Sequence, residues 1–211
     1  MNRSLESELM DSPDVSGPVL DRFHRDLNFV NRCLGTFPTI ERFIRNDDQP
    51  VRRVLDIGCG GGALLEYLRA RMNVEVVGVD RKPPANARVR IIEADAVTGK
   101  LPEADVAVCT LTAHHLTPEQ IVALIRNVSR SSRRFIIHDL IRHPLPLVLF
   151  TMFLCPLIGR EAAVDGRLSI RRAYTAEEFE AMARTAMAGS GALTTDVSLF
   201  RSRQILDIRF V

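Results

Sequence analysis

Apolar positions recur along this chain with two different spacings. Between 19 and 34, Leu20, Phe23, Leu27, Val30 and Leu34 stand three or four apart, which predicts an amphipathic helix. Gly35 ends it, and a second short helix is expected over 37–45. Compact apolar runs at 54–57, 74–79, 88–93, 105–110 and 134–137 read as strands. The first of them runs through a glycine cluster into helix-forming residues from Ala63 onward. Thr117-Pro118-Glu119-Gln120 and Thr175-Ala176-Glu177-Glu178 are capping boxes, so each opens a helix. The second of these helices carries Phe179, Met182 and Ala186. After Gly189 and Gly191 the tail reads as two strands, 193–200 and 204–211, joined by Arg201, Ser202 and Arg203.

Strands alternating with helices and closing on a strand pair predict an α/β fold, a doubly wound Rossmann-like sheet. At 211 residues the natural expectation is one domain, 19–211, with a helical cap over 19–46. Residues 1–18 are polar, with Pro13, Gly17 and Pro18, and read as a loose leader without an apolar export segment. The segment 81–87, broken by Pro83 and Pro84, is too short for a full crossover helix. Residues 145–158 are apolar at eleven of fourteen positions. That is shorter than the ~20 residues a bilayer span requires. It is either a lid insertion (145–160) over a greasy pocket or a helix lying on a membrane surface, and the lid is the preferred reading.

The glycine cluster carries the chemistry. Asp56 precedes Gly58, Gly60, Gly61 and Gly62, at the junction of a strand and a helix. Glycine permits positive φ and close approach of a ligand, and the following helix start favours an anionic or polar group. The turn Gly58-x-Gly60-x-x-Ala63 also fits a dinucleotide fingerprint. A carboxylate at Asp56 would repel a pyrophosphate, however, and suits a ligand that bears an ammonium. Asp80, about twenty positions after the turn, is placed to bind two ribose hydroxyls of either a nicotinamide or a sulfonium cofactor.

Composition narrows the classes further. Apolar residues make up 46% and charged residues 26% of the chain, ordinary for a globular protein. The net charge of +2 gives no general attraction to nucleic acid, and no nucleic-acid partner is expected. Cys33, Cys59, Cys109 and Cys155 form no C-x-x-C pair, so neither a zinc site nor a disulfide framework follows and no metal is expected. A reducing cytoplasm is the consistent location.

The turn hydrophobic–Asp–hydrophobic–Gly–x–Gly–Gly–Gly resembles the first motif of class I S-adenosylmethionine-dependent methyltransferases. The strings L-T-A-H-H-L, I-I-H-D-L and S-I-R-R-A-Y-T-A-E-E-F resemble small bacterial methyltransferases of quinone and phenolic-polyketide biosynthesis. The resemblance covers residues 20–211 and implies a seven-stranded sheet, order 3-2-1-4-5-7-6, with the last strand antiparallel. It implies S-adenosyl-L-methionine as cofactor, held by Asp56, Gly58, Cys59, Gly60, Asp80, Arg81, Thr110 and Leu111. Asp95 and the backbone of Ala96 would read the adenine, and Asn31 and Arg32 would meet the cofactor carboxylate. The chain departs from the family where the crossover helix at 81–87 is missing. It also lacks an N/D-P-P-Y/F tetrapeptide and a Pro-Cys nucleophile after the fourth strand, which disfavours base methylation.

Three histidines, His114, His115 and His138, fall at carboxyl ends of adjacent strands, where open α/β sheets bind ligands. A phenol or enol must lose a proton to accept a methyl group, and histidine is matched to that task near neutral pH. His114 or His138 is expected as base with Asp139 orienting it, and His115 is expected beside the acceptor or against the helix cap. Arg142, Arg172 and Tyr174 are candidates for a polar or anionic part of the acceptor. The expected reaction is methyl transfer to a small hydrophobic phenolic, quinol or polyketide-type molecule. An NAD(P)-dependent oxidoreductase and a non-catalytic S-adenosylmethionine-binding protein are the alternatives.

Overall fold

A computed structural model describes residues 1–9 and 18–211, and the side chains of 18–21, 23, 24 and 199 lie outside what it describes. The elements run α1 (Pro18–Cys33), α2 (Thr36–Arg45), β1 (Arg53–Ile57), α3 (Ala63–Arg71), β2 (Glu75–Asp80), β3 (Ile91–Glu93) and β4 (Ala104–Thr110). They continue with α4 (Pro118–Val128), β5 (Ser132–Leu140), α5 (Pro144–Leu149), α6 (Arg160–Arg172), α7 (Ala176–Met187), β6 (Ala192–Val197) and β7 (Arg203–Arg209).

One seven-stranded sheet orders them β3-β2-β1-β4-β5-β7-β6, as the family resemblance implied. Strands β1 to β5 pair in parallel, while β7 runs antiparallel to both β5 and β6. Because successive strand residues face opposite ways, each strand feeds two cores. Leu55, Ile57, Phe135 and Ile137 pack with Ile121, Leu124 and Phe179 of α4 and α7. Val54, Val106 and Ile136 pack with Ile40, Ile44, Leu64 and Leu68 of α2 and α3.

Both capping boxes form: Thr117 Oγ1 accepts from Gln120 N at 3.3 Å, and Thr175 Oγ1 from Glu178 N at 3.3 Å. No helix spans 81–87, as Pro83 and Pro84 required. The third strand is shorter than expected, three residues instead of 88–93. Strand β6 stops at Val197 because Phe200 and Arg201 take positive φ of 61° and 52°, which turns the chain before β7 begins at Arg203. The run expected as one apolar helix at 145–158 is broken into α5, a π-helical turn at Phe150–Leu154 and a 3-10 turn at Cys155–Leu157. Among the described residues no helix is long and apolar enough to cross a membrane.

A buried ion cluster ties the antiparallel edge to the helical face. Arg134 of β5 makes a bidentate pair with Asp207 of β7, Nε–Oδ1 2.8 Å and Nη2–Oδ2 2.6 Å. Its Nη1 reaches Asp47 Oδ2 at 2.9 Å, just past α2. Of the segment expected as a leader, Arg3 donates to the carbonyls of Arg172, His114 and Leu116, and the amide of Leu9 donates to Asp165 Oδ1. Pro13 and Gly17 lie outside the described residues.

Candidate active site

The carboxyl ends of β1, β2, β4 and β5 open onto a cavity of about 860 Å³, roofed by α1, α5, α6 and the turns between α5 and α6. Gly60, Asp80 and Leu111 form one part of its wall; His114, His115 and Leu140 form another. Leu149, Phe150, Phe153 and Ile158 of the broken apolar run line it as well.

The glycine turn is shaped by close packing. Gly58, Gly60 and Gly62 have φ of 68°, 52° and 79°. A Cβ at Gly58 would run into Thr112, standing 2.6 Å from its Oγ1, and one at Gly62 would strike Val89. Nothing lies within 4 Å of where a Gly60 Cβ would stand, so the backbone there is open to a ligand. The amide of Gly60 donates to Asp80 Oδ2 at 2.8 Å and that of Lys82 to Oδ1 at 2.9 Å. These bonds orient the carboxylate at the end of β2 and leave lone pairs for further donors. Leu111 takes φ 53°, an uncommon conformation for a non-glycine residue at the end of β4.

Asp56 is buried inside the fold rather than on the cavity wall, and its Oδ1 has no hydrogen-bond partner among the described residues. Burial, with the nearby charge of Asp80, pushes its pKa up to about 8. A carboxyl so placed lacks a cation, which is the property an ammonium-bearing ligand would complement. Thr110 Oγ1 and Asn31 Oδ1 are buried and unpartnered too, whereas Arg32 is exposed. Cys59 is half-buried, its thiol pKa raised by burial and by Asp56. Asp95 is engaged elsewhere, accepting from Arg81 Nη2 and from the amide of Val97, each at 2.8 Å, and neither Asp95 nor Ala96 lines the cavity.

His114 and Asp139 form a buried dyad. His114 Nδ1 lies 2.7 Å from Asp139 Oδ1, and its own amide donates to Oδ2 at 2.8 Å. With Nδ1–H given to the carboxylate, Nε2 is the ring nitrogen left to accept a proton, with Glu8 Oε1 3.7 Å away. Burial opposes a charge on His114, yet Asp139 and Glu8 outweigh it and raise the pKa. Asp139 stays ionised: its pKa is lowered because the bonds from His114 and from the Leu140 amide overcome desolvation.

His138 differs. It sits on the opposite face of β5 from Asp139, away from the cavity wall, and burial drops its pKa to about 3. His115 lies against His114, ring centroids 4.2 Å apart, and lines the cavity. Glu8 approaches both, Oε1 3.7 Å from His114 Nε2 and Oε2 3.8 Å from His115 Nε2.

The other acceptor candidates are tied into the framework. Arg142 pairs with Glu178 at 2.6 Å, Arg172 Nη1 lies 3.7 Å from Glu8, and Tyr174 Oη donates to the carbonyl of Leu116 at 2.6 Å. None of the three lines the cavity. Glu8 and Arg203 do, and sequence reasoning missed both. A lone Glu in a polar segment and an Arg at a hairpin carry no periodic signal.

The same architecture recurs in solved methyltransferases. The plantazolicin methyltransferase BpumL in complex with SAH shares 15% identity at a TM-score of 0.72, over 96% of this chain and 92% of that one. The methyltransferase domain of bacterial CtHen1-C shares 15% at 0.62, over 83% and 96%. Human N-acetylserotonin methyltransferase in complex with SAM shares 14% at 0.58, over 89% and 56%. At these identities the likeness concerns the fold. No curated protein matches the sequence. Residues 54–134, from β1 into β5, match a family model described as a methyltransferase domain. Over that stretch the chain is similar to a methyltransferase domain. The glycine turn, Asp80 and the dyad all stand at the carboxyl edge of the sheet, the edge at which open α/β sheets take their ligands.

Proposed function

We propose that this protein is an S-adenosylmethionine-dependent methyltransferase acting on a small, hydrophobic phenolic, quinol or polyketide-type acceptor. The observation that carries the reading is the His114–Asp139 dyad, facing a largely apolar cavity that also reaches the glycine turn. S-adenosylmethionine supplies an electrophilic methyl group on a sulfonium. Gly58, Cys59, Gly60, Thr110 and Leu111 would hold its amino-acid portion, Asp56 would answer the ammonium, and Asp80 with Arg81 would hold the ribose side. Asp95 would have to exchange its bond from Arg81 to meet the adenine with Ala96, and Asn31 and Arg32 would stand near the carboxylate.

His114 takes the acceptor proton through Nε2, and Asp139 is the positioning residue that fixes its tautomer. His138, neutral down to low pH and off the cavity wall, is set aside as the base. Closure of the apolar pocket would hold the acceptor in line for transfer, and such alignment itself supplies much of the rate. The segment 145–158 acts as the lid: Leu149 and Phe150 face the cavity, Phe153 lines its rim and is 63% exposed, and Met152 and Leu157 are 63% and 64% exposed. That outer crest suits contact with a membrane surface holding a hydrophobic acceptor.

The test is turnover with labelled cofactor over a phenol and quinol panel. His114→Ala should lower kcat on the accepted substrate by about 10²-fold or more, and His138→Ala should leave it near wild type. Unchanged turnover in His114→Ala would remove the base. Adenosylhomocysteine binding without turnover on any acceptor would favour a non-catalytic binding protein, and tight NADH binding would favour an oxidoreductase.

A further inference from the structure

The charged side chains on the cavity wall are unequally satisfied. Each carboxylate there has a partner: Asp80 the amides of Gly60 and Lys82, Asp26 the amide of Gly159, Asp165 that of Leu9, and Glu8 the guanidinium of Arg172 at 3.7 Å. Arg203 has no such answer. It is 7% exposed, Nη1 donates only to the carbonyl of Ser202 at 3.0 Å, Nε has no partner, and no carboxylate of the described residues pairs with it. Contrast Arg134 on the neighbouring strand, equally buried but held bidentately by Asp207. A guanidinium withdrawn from water without a counter-charge is costly, and it is tolerated where a ligand supplies the anion.

We propose that Arg203 is the subsite for an anionic oxygen group, a carboxylate or phenolate, on the acceptor. The proposal rests on the methyl-transfer reading and names the acceptor's chemical class: an apolar body with one acidic group. Arg203 opens β7 opposite Leu140, on the same face of the sheet as His138. Asp139, the nearest negative group electrostatically, spends its oxygens on His114 and the Leu140 amide. Burial lowers the Arg203 pKa only to about 10, so it remains charged at neutral pH. Three strand spacings separate β7 from β1, about 14 Å, so Arg203 stands off from the glycine turn and nearer the dyad. That distance assigns the anion to the acceptor and not to the cofactor's own carboxylate.

The experiment uses the full chain saturated with adenosylhomocysteine and two probes, 4-butylbenzoate and its neutral isostere 4-butylbenzamide, measured by titration calorimetry. Wild type should bind the carboxylate roughly tenfold or more tightly than the amide. Arg203→Gln should bring the two affinities together, and Arg203→Lys should restore part of the gap; should the Gln variant not fold, Lys and Met variants carry the same comparison. Equal affinities in wild type, or a preference that survives in Arg203→Gln, would overturn the assignment. So would an Arg203→Gln defect for adenosylhomocysteine that is absent for 5′-methylthioadenosine, which lacks the amino-acid carboxylate. Failure of wild type to bind adenosylhomocysteine at all would instead count against methyl transfer, and the benzoate preference would still be readable on the free protein.

Discussion

Replacing Asp56 by Asn separates two consequences of one buried carboxyl. In the folded chain its pKa is about 8, with burial the larger cause and Asp80 the smaller. Unfolded it returns to about 3.9, so between those values folding must bind a proton. A raised carboxyl stabilises nothing as pH rises: its contribution is intact below 3.9 and lost progressively up to 8. The slope is about 1.4 kcal/mol per pH unit. From pH 5 to 7 wild type should therefore lose about 2.7 kcal/mol relative to Asp56→Asn, which binds no such proton. For a chain of this length that is roughly 5–10 °C in melting temperature. The comparison of slopes cancels whatever the Asn amide costs in its own right. Urea unfolding at half-unit pH steps measures it. Saturating adenosylhomocysteine should flatten the wild-type slope, because its ammonium favours the ionised carboxylate, and binding at pH 7 should release close to one proton. Asp56→Asn should weaken adenosylhomocysteine roughly 10- to 100-fold, the scale of a hydrogen bond to a charged group. Parallel stability curves for the two proteins, or no proton release in wild type, would refute the placement of Asp56 as an unpaired carboxyl awaiting a cation.

The dyad fixes the direction of a pH profile. His114 must be neutral to accept a proton and its pKa is raised, so kcat should climb with pH through a value above 6.5. Asp139→Asn leaves only Glu8 to oppose burial, moves that limb to lower pH, and should reduce kcat by about 10²-fold or more. Gly58→Ala meets both a φ of 68° and the side chain of Thr112, so it should cost more than about 1 kcal/mol of stability and weaken adenosylhomocysteine binding, with Thr112→Ala recovering part of the stability. Arg134→Met leaves Asp207 buried without its cation and Asp47 with Arg133 alone, and should lower urea stability by about 3–5 kcal/mol. Met152→Ser with Leu157→Ser should reduce co-sedimentation with phosphatidylcholine vesicles while leaving turnover of a water-soluble acceptor near wild type; absence of vesicle binding by wild type would remove the membrane contact.

What the sequence by itself determined was local or periodic. Capping boxes at Thr117 and Thr175, the proline break at 83–84 and the β1–glycine–α3 unit are each written within a few residues, so they were legible at once. With the family likeness, they led to the full strand order. Even so, the edges slipped: Phe200 and Arg201 turn through positive φ, which no alternation of apolar residues announces. The site depended on contacts across the chain. His114 and His138 carry the same chemistry on paper, and only the packing showed that His114 lines the cavity and meets Asp139, while His138 does neither. Arg142, Arg172 and Tyr174 could be read from sequence either as acceptor contacts or as loop anchors, and they are bound to the framework. Glu8 reaches residues more than a hundred positions away, and Arg203 has a meaning only once its lack of a counter-charge is known. Secondary structure follows from neighbours three or four positions along the chain, which a sequence displays. Burial and charge pairing follow from which distant residues share a volume, and only the folded chain brings those together.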